Sequence, residues 1–234
     1  EKPVTIMAKQ SAVLPIKNLQ IQGELVLLYD PKENDVNAFK AVHLKNTSDI
    51  VLAPGSISVL EDQRFVAQCE FPPMLPDDDE IILYGPDSDL SITKSLPKEL
   101  QKNEVQSINI EYEDLPNGKK IPVGCSVFNK STIATTYEFV NNSSKKIEKF
   151  YIDHKASSRN DGYIITSKTD NLIKDVMGFG RFSFSLEPHE SDSFTVFEEA
   201  IYKTSISDTP SIRWLIKQRL PNLISKGLVD ESVM

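Results

Sequence analysis

Short bursts of alternating apolar and polar residues run through most of the chain. Val4, Ile6 and Ala8 would share one face of an extended backbone, as would Leu19, Ile21 and Gly23, then Leu25, Leu27 and Tyr29. A period of two in Val-, Ile- and Leu-rich stretches predicts half-buried strands. The pattern returns at Ile57 and Val59, in RFVAQCEF from Arg64, and in IILYG, DLSITKSL and VQSINIEYE. In the second half it returns in IATTYEFVNN, KIEKFYIDHKA and DSFTVFEEAIY, and most cleanly in RFSFSLEP, where Phe182, Phe184 and Leu186 oppose Arg181, Ser183 and Ser185. Turns interrupt it at DPKEND (30–35), Pro54-Gly55, PPMLPDDDE (72–80) and Asn117-Gly118. Turn signals at roughly 8–12-residue intervals, with little helical periodicity, predict a sandwich or barrel. Only the last segment changes period. Ile212, Leu215, Ile216 and Leu220 recur at helical spacing after a candidate N-cap at Ser207 or Asp208, Pro210 suits a first turn, and Pro221 ends or kinks the helix.

Two stretches are alike. VHLKNTSDIVLAPGSISVLED (42–62) and YEFVNNSSKKIEKFYIDHKAS (137–157) each run from strand to Asn-rich turn to strand. MLPDDDEIILY (74–84) and SLEPHESDSFTVF (185–197) each carry Pro, an acid two residues on, and a β-rich run. Placing Pro76 on Pro188 puts Asp78 on Glu190 and Ile82 on Phe194. Pro fixes φ at a corner where a strand leaves its sheet, and Asn tolerates the geometry that releases the strand before it. The expected fold is therefore all-β: tandem antiparallel β-sandwich (Ig-like) units over 1–105 and 106–205, meeting near Asn103 to Val123, with a C-terminal helical segment over 206–234. One larger sandwich is the alternative.

The chain of 234 residues is 39% hydrophobic, a foldable composition, and carries a net charge of −8. That balance argues against the large phosphate-binding surface of a nucleic-acid module. No apolar run approaches the ~20 residues that span a bilayer. Glu1 without a starter Met leads us to expect a removed leader or a piece of a longer chain. Cys69 and Cys125 make neither a disulfide framework nor a metal motif, and are expected to be buried free thiols, with one bridge between the halves as the alternative. Asn46, Asn129, Asn141 and Asn142 open Asn-x-Ser matches, which would be glycosylation acceptors only in a protein secreted by a eukaryote.

The runs PVTIMAKQSAVLPI, LLYDPKEN, AFKAVHLKNTSDIVLAPGSISVLEDQRFVAQCEF, LPDDDEIILYGPDSDLSI, YEFVNNSSKKIEKFYIDH and RFSFSLEPHESDSFTVFE resemble the family called domain of unknown function 4139. The resemblance rests on Asn46-Thr47, Leu52-Pro54-Gly55, Pro76-Asp78 and Tyr84-Gly85-Asp87, and spans residues 3–220. It implies an all-β C-terminal region of a longer protein and no particular reaction. DDDE departs from the family's Pro-Gly-acid turn.

Candidate chemistry is sparse. Oxygen-rich loops can hold Ca²⁺, and Asp77, Asp79, Asp87 and Asp89 are the ligands such a site would use, although DDDE lacks EF-hand spacing. His43, His154 and His189 have no Gly-x-Ser-x-Gly elbow to serve, and the neighbours Asp153 and His154 point to opposite faces of a strand, so both are expected at surface or edge positions. GFGR at Gly178 lacks a following helix, so it cradles no phosphate. No catalytic residue and no cofactor is assigned. Trp214 is expected in the core. The expected function is a non-catalytic protein-interaction or scaffold region, its partner another protein or other domains of the same full-length chain. The alternative, a carbohydrate-binding or hydrolytic domain, would need exposed aromatics such as Tyr84, Tyr151 and Tyr163.

Overall fold

A computed structural model describes residues 5–9, 11–12 and 17–227. It is mostly β, with a large sheet and a short helical segment near the C-terminus. In chain order the strands are β1 (Gln22–Tyr29), β2 (Asn37–Lys45), β3 (Gly55–Glu61), β4 (Arg64–Phe71), β5 (Asp79–Ser95) and β6 (Lys102–Asp114). There follow β7 (Lys120–Asn141), β8 (Ile147–Lys155), β9 (Ile164–Ile165), β10 (Leu172–Val176), β11 (Phe179–Leu186) and β12 (Ser191–Ile206), then α1 (Thr209–Gln218) and α2 (Leu220–Ser225). Val4 lies outside the described residues. Ile6, Ala8, Leu19 and Ile21 lie outside any strand.

The chain forms two compact units, and they differ from the division expected at residues 105 and 206. Unit 1 comprises residues 1–26 and 40–85, and unit 2 comprises 27–39 and 86–234. Three strands, β1, β2 and β5, carry the chain from one unit into the other. Asn103 to Val123, expected as a junction, instead lies within unit 2 as the β6–β7 hairpin. There Pro116 presets the turn and Gly118, at φ 76°, takes its left-handed position. The Gly118 N–H donates to the Leu115 carbonyl at 2.9 Å, and the Leu115 N–H to that of Lys119 at 2.8 Å.

Strands follow the order β10-β11-β8-β1-β2-β5-β7-β12-β9, with β6 also paired to β7. The spine of unit 2 is β7. One edge pairs with β12 in unbroken register from Val140↔Ser191 to Cys125↔Ile206. Its other edge takes β6 over Lys120–Thr132 and β5 over Thr136–Asn141 in succession. The main core of unit 2 is aromatic: Tyr29, Tyr137, Phe139, Phe150 and Phe182 are fully buried, and Phe184 and Phe194 pack against them. Phe139 meets Phe150 edge-on at 5.2 Å between centroids. Burying one such side chain contributes about 1.5–3 kcal/mol, which explains why the clean RFSFSL alternation sits at this core.

A second cluster lies beneath the helices, where Ile212, Leu215 and Leu220 pack on Ile108, Cys125 and Val127. The Asp208 carboxylate caps α1 by accepting the Ser211 N–H at 2.9 Å, and that bond holds its acid below the usual range. Pro221 neither ends nor kinks α1, which already stops at Gln218. It occupies the first turn of α2, where no N–H is needed. Among the described residues no helix is long and apolar enough to cross a membrane.

Unit 1 has a thin interior. Val26, Ala41, Met74 and Ile82 are its buried apolar residues among those described. Beside these stands the β3–β4 hairpin, a two-stranded sheet of its own.

Candidate functional site

The two Asn turns paired by sequence adopt the same geometry. In unit 1 the buried Asn46 amide donates to the carbonyls of Ile50 at 2.9 Å, Met74 at 3.2 Å and Leu75 at 3.0 Å. Its Oδ1 accepts both the N–H and the hydroxyl of Ser48, at 3.1 and 2.6 Å. Its own N–H donates to the Asp78 carbonyl at 2.9 Å. In unit 2 the buried Asn141 amide donates to Lys145 at 2.8 Å and Glu187 at 2.9 Å, and Oδ1 accepts the N–H and hydroxyl of Ser143. The Asn141 N–H donates to the Glu190 carbonyl at 2.9 Å. The acids match as well: Asp78 accepts the Leu75 N–H at 2.8 Å and Glu190 that of Glu187 at 2.7 Å. Between Pro and acid, Asp77 (φ 68°) and His189 (φ 58°) take the left-handed position. Asp77 therefore stands where the expected Pro-Gly-acid turn would use Gly.

These bonds also explain two of the four Asn-x-Ser matches. Asn46 and Asn141 are fully buried with their amides engaged, so the serine is there to complete the corner.

Of the four acids named as cation ligands, Asp79 and Asp87 engage their carboxylates locally, whereas Asp77 and Asp89 bond through the backbone. The Asp77 N–H donates to the Asn46 carbonyl at 2.9 Å. Asp79 Oδ2 lies 2.9 Å from His43 Nε2. The buried Asp87 accepts the N–H groups of Asp89 and Leu90 at 3.0 and 2.8 Å. Asp89 is exposed, and its carbonyl accepts the Asn142 N–H at 2.7 Å. Among the described residues no three His, Cys, Asp or Glu side chains form a group that could hold a metal ion.

The expectation that Asp153 and His154 lie at the surface is corrected: both are buried. They do face opposite ways. Asp153 is clamped by Arg181, with Nε–Oδ1 at 2.6 Å and Nη2–Oδ2 at 2.8 Å. His154 Nδ1 lies 2.8 Å from the Tyr137 hydroxyl, while Nε2 faces Glu198 Oε1 at 3.6 Å and makes no hydrogen bond. A carboxylate only accepts, so the ring proton belongs on Nε2 and Tyr137 donates to Nδ1. Burial, then the neighbouring Tyr29 and Glu198, pushes the Tyr137 phenol far above its ordinary value and keeps it a donor. Burial first, and then the charges of Asp35 and Asp30, raise Tyr29 to about 12. Glu198 Oε2 accepts the Ser157 N–H at 2.6 Å, which ties the segment after β8 to β12. With Tyr137, His154 and Glu198 all buried, this network fastens a loop and presents no atom to a substrate. Chain-local patterns missed it because its members come from three distant strands.

Other expectations change with burial. Trp214 is 59% exposed, not in the core. Tyr151 and Tyr163 are buried and Tyr84 half-buried, so they form no sugar-stacking platform. Cys69 and Cys125 are both free; Cys125 is buried and Cys69 half-buried, and in each burial is the leading cause that raises the thiol's pKa.

The surface best suited to recognition is the β3–β4 ribbon of unit 1. Its register pairs Ile57 with Cys69 and Val59 with Ala67 on a half-buried face, and Ser56 with Glu70 and Ser58 with Gln68 on an exposed one. Beyond a bulge after Val59 the faces change, and Leu60, Phe65 and Val66 stand exposed at the tip, Leu60 at 65% and Phe65 at 64%. Asp62 (φ 48°) and Gln63 (φ 65°) form the two-residue loop with positive φ at both positions, the type I′ geometry that matches strand twist. Among the described residues neither strand pairs with a third, which leaves an outward row of backbone donors and acceptors on each edge. No protein-family model, curated protein or solved structure matches the chain.

Proposed function

We propose that this chain is a non-catalytic protein-interaction or scaffold region of a larger protein, and that the β3–β4 ribbon receives an extended segment of a protein partner as an added strand. The carrying observation is the ribbon itself, with two open edges and an apolar tip of Leu60, Phe65 and Val66. Strand addition draws affinity from main-chain hydrogen bonds and specificity from alternate side chains. The tip supplies the apolar anchor and the Ser56, Ser58, Gln68 and Glu70 face the polar surround.

The shared corners at Asn46 and Asn141, one in each unit, support reading the chain as two Ig-like units built on a repeated corner, interleaved along the sequence. Each unit turns its strand with the same Asn-x-Ser lock and Pro-x-acid turn. On the resemblance to domain of unknown function 4139, we read the chain as the C-terminal β region of a longer protein.

Selection from a displayed library of extended peptides, followed by hydrogen exchange, tests the ribbon. Bound peptides are expected to protect amides of Gly55–Glu61 or Arg64–Phe71, and Phe65→Asp is expected to abolish binding. Peptides that bind with unchanged ribbon exchange, or binding indifferent to Phe65→Asp, would overturn it.

A further inference from the structure

The outer face of α1 is chemically unlike the rest of this acidic chain. Residues 209–227 contain Arg213, Lys217, Arg219 and Lys226 and no Asp or Glu; with the whole chain at −8, these four positive charges leave −12 elsewhere. All four side chains are exposed, and none forms an ion pair with a described residue. Unpaired cations are a solvated surface in most proteins, but here Trp214, the chain's single tryptophan, stands exposed among them. At 100° per residue Arg213, Lys217 and Trp214 share one arc, and Ile212 and Leu215 turn the opposite way into the unit 2 core. Trp214 is 59% exposed and is not among the core residues that seat α1.

We infer that this face is a peripheral docking site for an anionic lipid surface. Its two features are the two signals that such binding takes. Cations near an anionic bilayer gain attraction to the whole plane, and an indole settles at the headgroup level with its apolar body inward and its N–H in water. A bilayer also suits the arrangement better than an acidic protein segment. Arg213 and Lys217 lie on α1, Arg219 caps its end and Lys226 follows α2. No side-chain hydrogen bond to a described residue fixes their positions, and a continuous negative plane requires no register. Because the apolar side of α1 is already buried against β6 and β7, only the indole enters the lipid. The contact is therefore shallow, reversible and dependent on salt.

The single tryptophan makes the test direct. The 234-residue chain is mixed with phosphatidylcholine vesicles, with or without phosphatidylserine, and both sedimentation and Trp214 emission are followed. The expected result is association with the phosphatidylserine vesicles alone, a blue shift of Trp214, protection from acrylamide, and reversal at about 0.5 M salt, where screening is nearly complete within a few ångströms. Replacing Arg213→Gln and Lys217→Gln together, both at exposed positions, is expected to weaken partitioning about 30-fold, about five-fold for each charge removed. No association at low salt would overturn the proposal, as would association without a change in Trp214 emission or without loss in the double variant. A polyglutamate peptide that shifts Trp214 emission where vesicles do not would overturn it in favour of an acidic protein partner.

Discussion

The side chain of Gln101 stands in for a missing strand opposite Ala134. Its Nε2 donates to the Ala134 carbonyl at 2.8 Å, and its Oε1 accepts the Ala134 N–H at 3.1 Å. The site is the gap on β7 between the end of β5 at Ser95↔Thr136 and the start of β6 at Lys102↔Thr132. Ala134 is fully buried, so both backbone groups depend on this amide. Gln101→Ala is expected to cost about 2–4 kcal/mol, the penalty for two buried unmet groups. Gln101→Glu should recover little, because a carboxylate cannot donate. Urea unfolding of the two variants measures this, and a loss below about 0.5 kcal/mol for Gln101→Ala would refute it.

Each Asn corner should behave as a structural lock. Asn46→Ala removes one donor from each of three carbonyls and the acceptor of the Ser48 N–H, and Asn141→Ala does the same to two carbonyls and the Ser143 N–H. Each carbonyl keeps a second donor and each serine hydroxyl a second acceptor. Each is expected to cost about 2–4 kcal/mol, and Asn→Asp at either site at least as much, since an acid would face carbonyl oxygens. Ser48→Ala and Ser143→Ala should be milder, near 1 kcal/mol. Losses confined to one corner would count against their equivalence.

Three turns carry avoidable backbone strain. Gln63, Asp77 and His189 hold positive φ without being glycine. Left-handed backbone costs an ordinary residue roughly 1–2 kcal/mol, and glycine's greater unfolded-state entropy returns part of that. Gln63→Gly, Asp77→Gly and His189→Gly should each stabilise by about 0.5–1 kcal/mol in chemical denaturation. A destabilising result at Gln63 would show that its side chain, not its backbone, matters to the ribbon.

Alkaline pH should weaken unit 2 through Tyr29. Its phenol titrates near 12 in the folded state, against about 10 in an unfolded chain. The folded state therefore holds the proton more tightly. The stability it contributes is complete below about pH 10 and is lost as pH rises toward 12. Tyr29→Phe removes the titrating group, along with the hydrogen bond to the Asp35 carbonyl, and should make the decline between those values shallower, the raised Tyr137 phenol supplying the remainder. An equally steep decline in the variant would assign the effect to other groups.

Much of the fold was legible because its cause is local. Alternation located the strands of RFSFSLEP and RFVAQCEF, Asn117-Gly118 marked a true hairpin, and Asp208 proved to be the α1 cap. The Pro76 and Pro188 alignment even placed the two acids on equivalent bonds. What failed was information carried between distant segments. Asn103 to Val123 reads as punctuation between domains, yet its apolar residues pair along β7. Asp153 and His154 read as edge polar residues because Arg181, Tyr137 and Glu198 are invisible at short range. Trp214 was assigned to the core by residue type, whereas the helical phase that buries Ile212 and Leu215 turns it outward.

Leu27, Leu28 and Tyr29 lie in parallel beside Phe150, Tyr151 and Ile152. Parallel neighbours cannot be joined by a tight turn, so this edge of β1 stays open until the chain through residue 152 exists. At ribosomal rates of about 5–20 residues per second, that leaves β1 exposed for several seconds or more. The nascent chain therefore carries a half-paired strand while residues 30 to 152 are being made. The pairing that closes this edge waits for β8, so slow decoding or a bound chaperone would have its largest effect on yield between residues 30 and 152.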